Sequence, residues 1–150
     1  MQRVGLWALG IGLVVTVGLL TVEQGYTEDD TPTCTLKTLK GRYLFGGIDT
    51  QLPPAVTQQS LLAVAGYHIF NGDGTGTDIV TTSINGEIDR ENFVTPISYT
   101  VNPDCSGTYT VPSGPSFGIF IAPDGAELIV IGTDPGFVLV QGPNRRVSRK

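Results

Sequence analysis

The single histidine, His68, is the residue whose type best suits acid–base chemistry. It shares one face of a predicted strand with Val64, Gly66 and Phe70, so an inward-facing imidazole would be a polar group in an apolar interior. There it could act as a general base or hydrogen-bond a ligand. Neither a carboxylate close in sequence nor a Gly-x-Ser-x-Gly elbow supports a catalytic triad. We therefore assign no catalytic residue and favour a core or surface histidine with one satisfied hydrogen bond, with the functional role as the alternative.

Two groups of acidic residues are candidates for metal binding or hydrolysis. Residues 71–78 (NGDGTGTD) have the density of oxygen ligands that Ca²⁺ prefers, but a Gly- and Asp-rich calcium repeat needs stacked neighbours and only one copy is present. A hairpin tip explains the same residues without a metal. Glu87, Asp89 and Glu91 resemble carboxylates for glycosidase chemistry, yet no aromatic sugar platform surrounds them, so a solvated strand end or loop is favoured. With one histidine and two cysteines, no usual zinc site can form, and we predict neither metal nor cofactor.

The amino terminus predicts export. Arg3 precedes an uncharged apolar run at residues 4–22, and an acidic segment follows, which is the layout of a secretory signal with an apolar export helix. The run is also long enough to cross a bilayer as a helix, so a cleaved signal peptide and a retained anchor both stay open. In either case we expect the domain to be exported, in the periplasm, at the cell surface or outside the cell. Membrane contact is predicted only through residues 4–22, if they are uncleaved.

The predicted export determines the expected chemical state of the two cysteines. In an oxidising compartment Cys34 and Cys105 are expected to form one disulfide. Closing a loop of about 70 residues stabilises a fold by about 4 kcal/mol in the chain-entropy estimate. The alternative is a reactive thiol, which needs basic neighbours, and Asp104 beside Cys105 disfavours a thiolate.

The composition predicts one strand-rich domain. The chain has 150 residues, 20 of them glycine, and only 15% are charged, which suits a single domain and disfavours a helical bundle. From residue 41 onward, short β-prone runs alternate with turn signals such as Asn85-Gly86. The predicted strands are residues 42–45, 62–70, 75–84, 93–101, 107–111, 117–122, 127–131 and 137–141.

Hairpin following hairpin predicts an all-β, antiparallel up-and-down barrel, because closure satisfies the edges of a meander of about eight strands. The predicted organisation has four parts. They are a signal peptide or anchor at 1–22, an acidic linker at 23–33, the barrel at 34–142 and a basic tail at 143–150.

The distribution of charge limits the partners. The net charge is −5, and four of the nine basic residues lie in the tail, which leaves the barrel acidic. A nucleic-acid footprint needs a basic face, so nucleic acid is not an expected partner. The tail itself is expected to be a solvated, frayed terminus.

Three late segments, residues 117–121, 128–131 and 137–140, are apolar on both faces. An exposed apolar patch of several strands would favour aggregation, so something is expected to cover the outside of these strands. The cover could be residues 50–65, another subunit, or both. We therefore predict a homo-oligomer.

Four segments carry a resemblance to a known group of proteins. Residues 41–45, 66–74, 85–86 and above all 99–108 (YTVNPDCSGT) resemble exported bacterial single-domain proteins of unassigned function, over roughly residues 34–142. These proteins carry a Gly-x-Tyr opening, a Phe-Asp-Gly-x-Gly turn and a Tyr-Thr-Val-Asn-x-Asp-Cys-x-Gly-Thr block; here Asn71 replaces the usual acidic residue of the turn. The resemblance implies a small calycin-type barrel, distantly similar to allene oxide cyclase and dirigent barrels, which bind apolar molecules in the lumen.

The leading expectation is an exported, non-catalytic barrel that binds a small apolar ligand or serves as an envelope interaction module. The alternative is a cyclase or isomerase acting in the lumen on an apolar natural-product or oxylipin-like substrate; a third possibility is a structural protein with a filled core. A solid interior would end both ligand hypotheses, whereas an open cavity with His68 and a carboxylate pointing inward would favour the enzyme. The lumen candidates are Tyr43, Phe45, Tyr67, His68, Tyr99, Phe117 and Phe137.

Overall fold

The structure, a computed structural model, describes residues 33–112 and 114–149. The predicted export helix at 1–22 and nearly all of the acidic linker lie outside these residues. Within them, no helix has the length and apolar character that crossing a membrane requires. A short 3₁₀ helix, Leu36–Leu39, precedes the strands. The strands are Gly41–Gln51 (β1), Ser60–Phe70 (β2), Thr75–Ile84 (β3), Glu87–Val101 (β4), Ser106–Thr110 (β5), Ser116–Ile121 (β6), Glu127–Gly132 (β7), Phe137–Val138 (β8) and Val140–Ser148 (β9).

The strands form a closed antiparallel barrel. Its order is β2-β3-β4-β5-β6-β7-β9-β1, and the additional pairing of β1 with β2 closes the ring. The two-residue strand β8, which precedes β9 in the chain, also pairs with the end of β1. The prediction of an all-β, eight-stranded barrel in which successive strands pair is confirmed. Closure leaves no unpaired edge among these eight strands, which is the physical reason for the architecture.

Three strands extend well beyond their predicted bounds; one of them, β4, begins at Glu87 instead of at residue 93. The first strand continues from Phe45 through Gly46 and Gly47 to Gln51, although two glycines interrupt the β-prone pattern. At the other end of the chain, β9 runs to Ser148, so the structure extends the barrel into the residues that we expected to be a frayed basic tail. The side chain of Arg146 explains part of this order, because its guanidinium donates hydrogen bonds to backbone carbonyls at one end of the barrel.

That end of the barrel is closed. The 3₁₀ helix packs Leu39 into the core cluster beneath it. The Tyr99 hydroxyl accepts a hydrogen bond from the Gly72 amide and donates one to the Leu36 carbonyl, which fixes the helix against the β2–β3 turn. The predicted disulfide between Cys34 and Cys105 is confirmed and ties the start of the helix to the β4–β5 turn. A disulfide is typical of proteins that fold in an oxidising compartment outside the cytosol.

The outer face of the late strands carries an uncovered row of apolar side chains. Phe120 of β6 pairs directly with Ile129 of β7, and Ile131 of β7 pairs with Val140 of β9. We call these four residues the outer apolar strip. They are 40–65% exposed, so the expectation that residues 50–65 cover this face is wrong. The other expected cover, a second subunit, stays a prediction.

Candidate functional site

The end of the barrel opposite the 3₁₀ helix opens into a cavity of about 830 Å³. Its mouth is bordered by the ends of β1 and β3, the start of β4, and the loops after β5 and β7. This volume lies within the range of sites that hold small ligands, roughly 300–1,000 Å³. The lumen is therefore not packed solid, unlike the core at the closed end.

The walls of the cavity are mainly apolar because alternate residues of each strand point inward. On β2, for example, Leu62, Val64 and His68 line the cavity, while the intervening Ala63 and Ala65 are exposed on the outside. The main apolar contributors are Phe45, Leu62, Val64, Val80, Phe117 and Leu139.

A buried hydrogen-bonded chain joins three polar side chains in the lumen. His68 of β2 lies directly opposite Asp78 of β3 in the strand register. Its Nδ1 lies 2.8 Å from Asp78 Oδ1, and the Tyr109 hydroxyl donates to the other oxygen, Oδ2. Because a carboxylate only accepts hydrogen bonds, Nδ1 carries the hydrogen. Burial, followed by the negative charge of Asp78, raises the pKa of Tyr109 above its ordinary value, so the hydroxyl stays a donor.

The hydrogen bonds that join His68, Asp78 and Tyr109 use only Nδ1 of the imidazole and leave Nε2 available. Among the described residues, His68 Nε2 has no hydrogen-bond partner although it is buried. The ring is held in place by Phe45, which stacks on it with centroids 3.9 Å apart and planes 8° from parallel. With Nδ1 protonated, the neutral ring presents the Nε2 lone pair, which can accept a hydrogen bond or a proton. An aspartate-oriented histidine in a cavity is an arrangement that general bases use.

A second polar group, Asp49 of β1, also lines the cavity. The residue is 2% exposed, and neither carboxylate oxygen has a hydrogen-bond partner among the described residues. Burial raises the pKa of Asp49 from its ordinary value of 3.8 to about 6. A carboxyl group in this condition can bind a donor or a cation, or exchange a proton near neutral pH.

The charged groups at the mouth are satisfied by neighbours. The Arg90 Nε lies 3.5 Å from Asp89 Oδ2, and its guanidinium also lies over the ring of Phe93. Asp134 Oδ2 accepts a hydrogen bond from the Ser116 amide over 2.8 Å. These groups are therefore engaged in shaping the rim.

The structure divides the seven predicted lumen residues into three sets. Phe45, His68, Phe117 and Phe137 line the cavity. Tyr43 and Tyr99 point inward but belong to the packed core at the closed end, where the Tyr43 hydroxyl donates to the Gly125 carbonyl over 2.6 Å. Tyr67 lies outside the barrel, with its ring 4.0 Å from the Arg42 guanidinium carbon, because it immediately precedes the inward-facing His68 in a strand with alternating faces.

Four further residues that were not predicted from the sequence also line the cavity: Asp49, Asp78, Tyr109 and Gln141. The statement that no carboxylate supports His68 is wrong, since Asp78 pairs with it across the hairpin. A signal for this pair was present in the sequence: counting outward from the turn at residues 71–75 places position 68 opposite position 78. No comparable pattern in the sequence indicated that Asp49 lies in a strand, because Gly46 and Gly47 before it interrupt the β-prone run.

The two acidic groups considered earlier lie mainly at exposed strand ends in the described chain. Asp73 Oδ1 accepts hydrogen bonds from the amide and the hydroxyl of Thr75, which also lower the pKa of Asp73, so its carboxylate stabilises the hairpin tip. Glu87, Asp89 and Glu91 lie on the exposed start of β4. Within residues 33–112 and 114–149, no group of three or more His, Cys, Asp or Glu side chains is placed to hold a metal ion.

Comparison of the chain with models of protein families, with curated proteins and with solved structures gives no match. The residues of the cavity therefore carry the functional argument.

Proposed function

We propose that the barrel lumen binds one small, largely apolar molecule, which enters through the open end. The observation that carries this proposal is the cavity of about 830 Å³ with apolar walls and a few convergent polar groups. A barrel built only for interaction with other proteins, or only as a structural unit, has no need of such a space, because filling it with side chains would stabilise the fold. The geometry thus favours ligand binding over the interaction module.

The walls suggest how the ligand would be held. Val64, Val80 and Leu139 would contact its apolar surface, and the aromatic rings of Phe45 and Phe117 are positioned to pack against it. The Nε2 atom of His68 would accept one hydrogen bond from the ligand and so fix its orientation. Burial of apolar surface supplies most of the affinity, and the polar contact supplies selectivity.

The setting of this function is proposed to be outside the cytosol. The disulfide between Cys34 and Cys105 supports export, and the apolar run at residues 4–22 supports it from the sequence. The likeness to calycin-type barrels is part of the same proposal and is consistent with ligand binding in the lumen. Whether residues 4–22 are cleaved is decided by the mass of the mature chain.

The binding proposal is tested by titration with N-phenyl-1-naphthylamine, a small neutral dye whose fluorescence rises in apolar surroundings. The wild type should enhance the fluorescence saturably at one site. Val64→Trp, which fills the lumen, should weaken binding at least about tenfold, whereas Ala65→Trp, on the outside of the same strand, should leave it within about twofold.

Val80→Trp on β3 provides a second lumen variant in case Val64→Trp disturbs folding, and circular dichroism checks the fold of each variant. Equal binding by all lumen and outer variants would refute the proposal.

A second candidate function is proton transfer at carbon, which would make the protein an isomerase or cyclase. The observation that favours it is the inward-facing His68 with Asp78 hydrogen-bonded to Nδ1. His68 Nε2 would remove a proton from a carbon next to a carbonyl, and the C–H electron pair would move into the carbonyl to give an enolate. Where a carbon–carbon double bond is conjugated with this enolate, the imidazolium would return the proton to the far carbon of the dienolate, so the product is an isomer with a shifted double bond and no co-reactant is needed.

This candidate is tested with 2-tetralone in D₂O, because deuterium enters the carbons beside its carbonyl only after a proton has been removed. Mass spectrometry should show faster incorporation with the wild type than in buffer, and His68→Gln should slow the catalysed exchange about 100-fold or more. Tyr67→Phe, outside the barrel, is the control and should exchange at the wild-type rate. Exchange by the wild type at the buffer rate would reject proton transfer.

A further inference from the structure

The lumen contains one carboxyl group whose charge nothing in the described chain compensates. Asp49 is 2% exposed, and both of its oxygens lack hydrogen-bond partners among the described residues. A buried carboxylate without a partner is costly, and proteins rarely keep one unless it binds something. This side chain is therefore the strongest indication of what the ligand must bring.

The other carboxyl groups of the cavity already have partners. Asp78 accepts from His68 and Tyr109, Asp89 lies beside the Arg90 guanidinium, and the carboxylate of Asp134 accepts a backbone amide. Asp49 differs from all three in its lack of a donor, and from Asp89 and Asp134 also in its burial.

The charges of the cavity indicate the sign of the missing group. Four aspartates but only one arginine belong to the described residues that line it, and that arginine is half-exposed at the mouth beside Asp89. His68 directs its Nδ1–H to Asp78, so it does not compensate Asp49. A ligand with a carboxylate would meet like charge and would leave Asp49 without a donor.

A neutral apolar molecule would also leave Asp49 unsatisfied. A protonated primary amine brings three N–H donors and a positive charge, which match a carboxylate in both hydrogen bonding and sign. Its apolar body would occupy the space between Val64, Val80 and Phe117.

We propose that the lumen selects an apolar molecule that carries a protonated amine, and that Asp49 is the counter-ion for this amine. The inference rests on the proposed function, because it requires the lumen to bind a ligand. It assigns to Asp49 a role in specificity, distinct from the hydrogen bond offered by His68.

The test compares three probes with the same alkyl chain, which are decylamine, 1-decanol and decanoate, each kept below its critical micelle concentration. Each probe displaces N-phenyl-1-naphthylamine from the wild type at about pH 7.5. A charge-assisted hydrogen bond in a buried site makes decylamine the tightest binder, by about tenfold or more over 1-decanol, and decanoate the weakest.

Two variants separate the role of Asp49 from a general effect of charge. Asp49→Asn should weaken decylamine about tenfold or more while leaving 1-decanol within about twofold. Glu91→Gln removes the same formal charge on the exposed start of β4, at a residue that does not line the cavity, and it should change decylamine binding by less than about threefold because water screens that site.

A second measurement does not depend on a variant of Asp49. Because burial raises the pKa of Asp49 to about 6, wild-type affinity for decylamine should rise about tenfold between about pH 5 and about pH 8. The other charged or titratable groups facing the cavity are His68, Asp78, Asp89, Arg90, Tyr109 and Asp134. Asp49→Asn should remove most of the rise, whereas Glu91→Gln, outside the cavity, should retain it.

The outcomes distinguish this inference from the proposed function. If decanoate binds as tightly as decylamine, or if Asp49→Asn retains full affinity for decylamine, the amine inference is overturned while ligand binding stands. If neither the dye nor any of the three probes binds the wild type, the proposed function fails together with the inference.

Discussion

The exchange of Asp49 for asparagine gives a stability prediction that follows directly from the burial of its carboxyl group. Burial raises the pKa from 3.8 to about 6, so the folded state holds the proton more tightly than the unfolded state does. The two states bind the proton equally below about pH 3.8, and the folded state loses stability as the pH rises from there through about 6. The shift of about two units corresponds to a loss of about 3 kcal/mol, complete above about pH 7.

Asp49→Asn keeps the shape of the side chain and removes the charge. The variant should match the wild type near pH 4 and exceed its free energy of unfolding by up to about 3 kcal/mol near pH 8. Urea unfolding of both proteins at a series of pH values measures this difference, and subtracting one curve from the other cancels the titration of shared groups.

Asp89→Asn serves as the control for the stability experiment, because its carboxylate lies at the exposed mouth beside Arg90. Its difference from the wild type should stay small and nearly independent of pH. A difference between Asp49→Asn and wild type that does not change with pH would refute the reasoning. A variant less stable than the wild type near pH 8 would show that the carboxylate has a partner in the free protein.

Three further predictions concern the scaffold and its outer surface. Replacing Cys34 and Cys105 together by serine should lower the free energy of unfolding by about 4 kcal/mol, since the bond closes a long loop, and reduction of the wild type should give the same urea midpoint. Gly66→Ala should cost about 1–3 kcal/mol, because its Cβ would meet the carbonyl of the neighbouring strand, whereas Gly46→Ala has room for its methyl group and should be near neutral. If a second copy covers the outer apolar strip, Ile129→Lys should lower the mass measured by light scattering; a monomeric wild type would reject the homo-oligomer.

The barrel could be predicted from the sequence because the features that specify it, the strands and the tight turns between them, are local. Tight turns such as Asn85-Gly86 join strands that follow one another in the chain, so pairing of successive strands needs no long-range knowledge. The prediction of β1 was shorter than the strand because Gly46 and Gly47 lack β propensity. Both pair with β2 nevertheless, since the ladder with residues 60–70 and the closure of the barrel outweigh local preference.

The functional site was harder to predict because it depends on which face of each strand points inward. The register of the β2–β3 hairpin sets His68 against Asp78, and a shift of one residue would have placed Tyr67 inside instead. The division between packed core and open cavity is a matter of depth along the barrel. Tyr99 and Phe117 both point inward, but one lies beside the 3₁₀ helix and the other faces the open lumen. No local pattern in the sequence records that depth.

A crystal structure of the protein grown with N-phenyl-1-naphthylamine tests most directly whether the lumen is a ligand site. We expect one dye molecule inside the barrel, in contact with Val64 and Phe45 and within hydrogen-bond reach of His68 Nε2. An empty or collapsed lumen, with the dye bound instead on the outer apolar strip, would contradict this expectation.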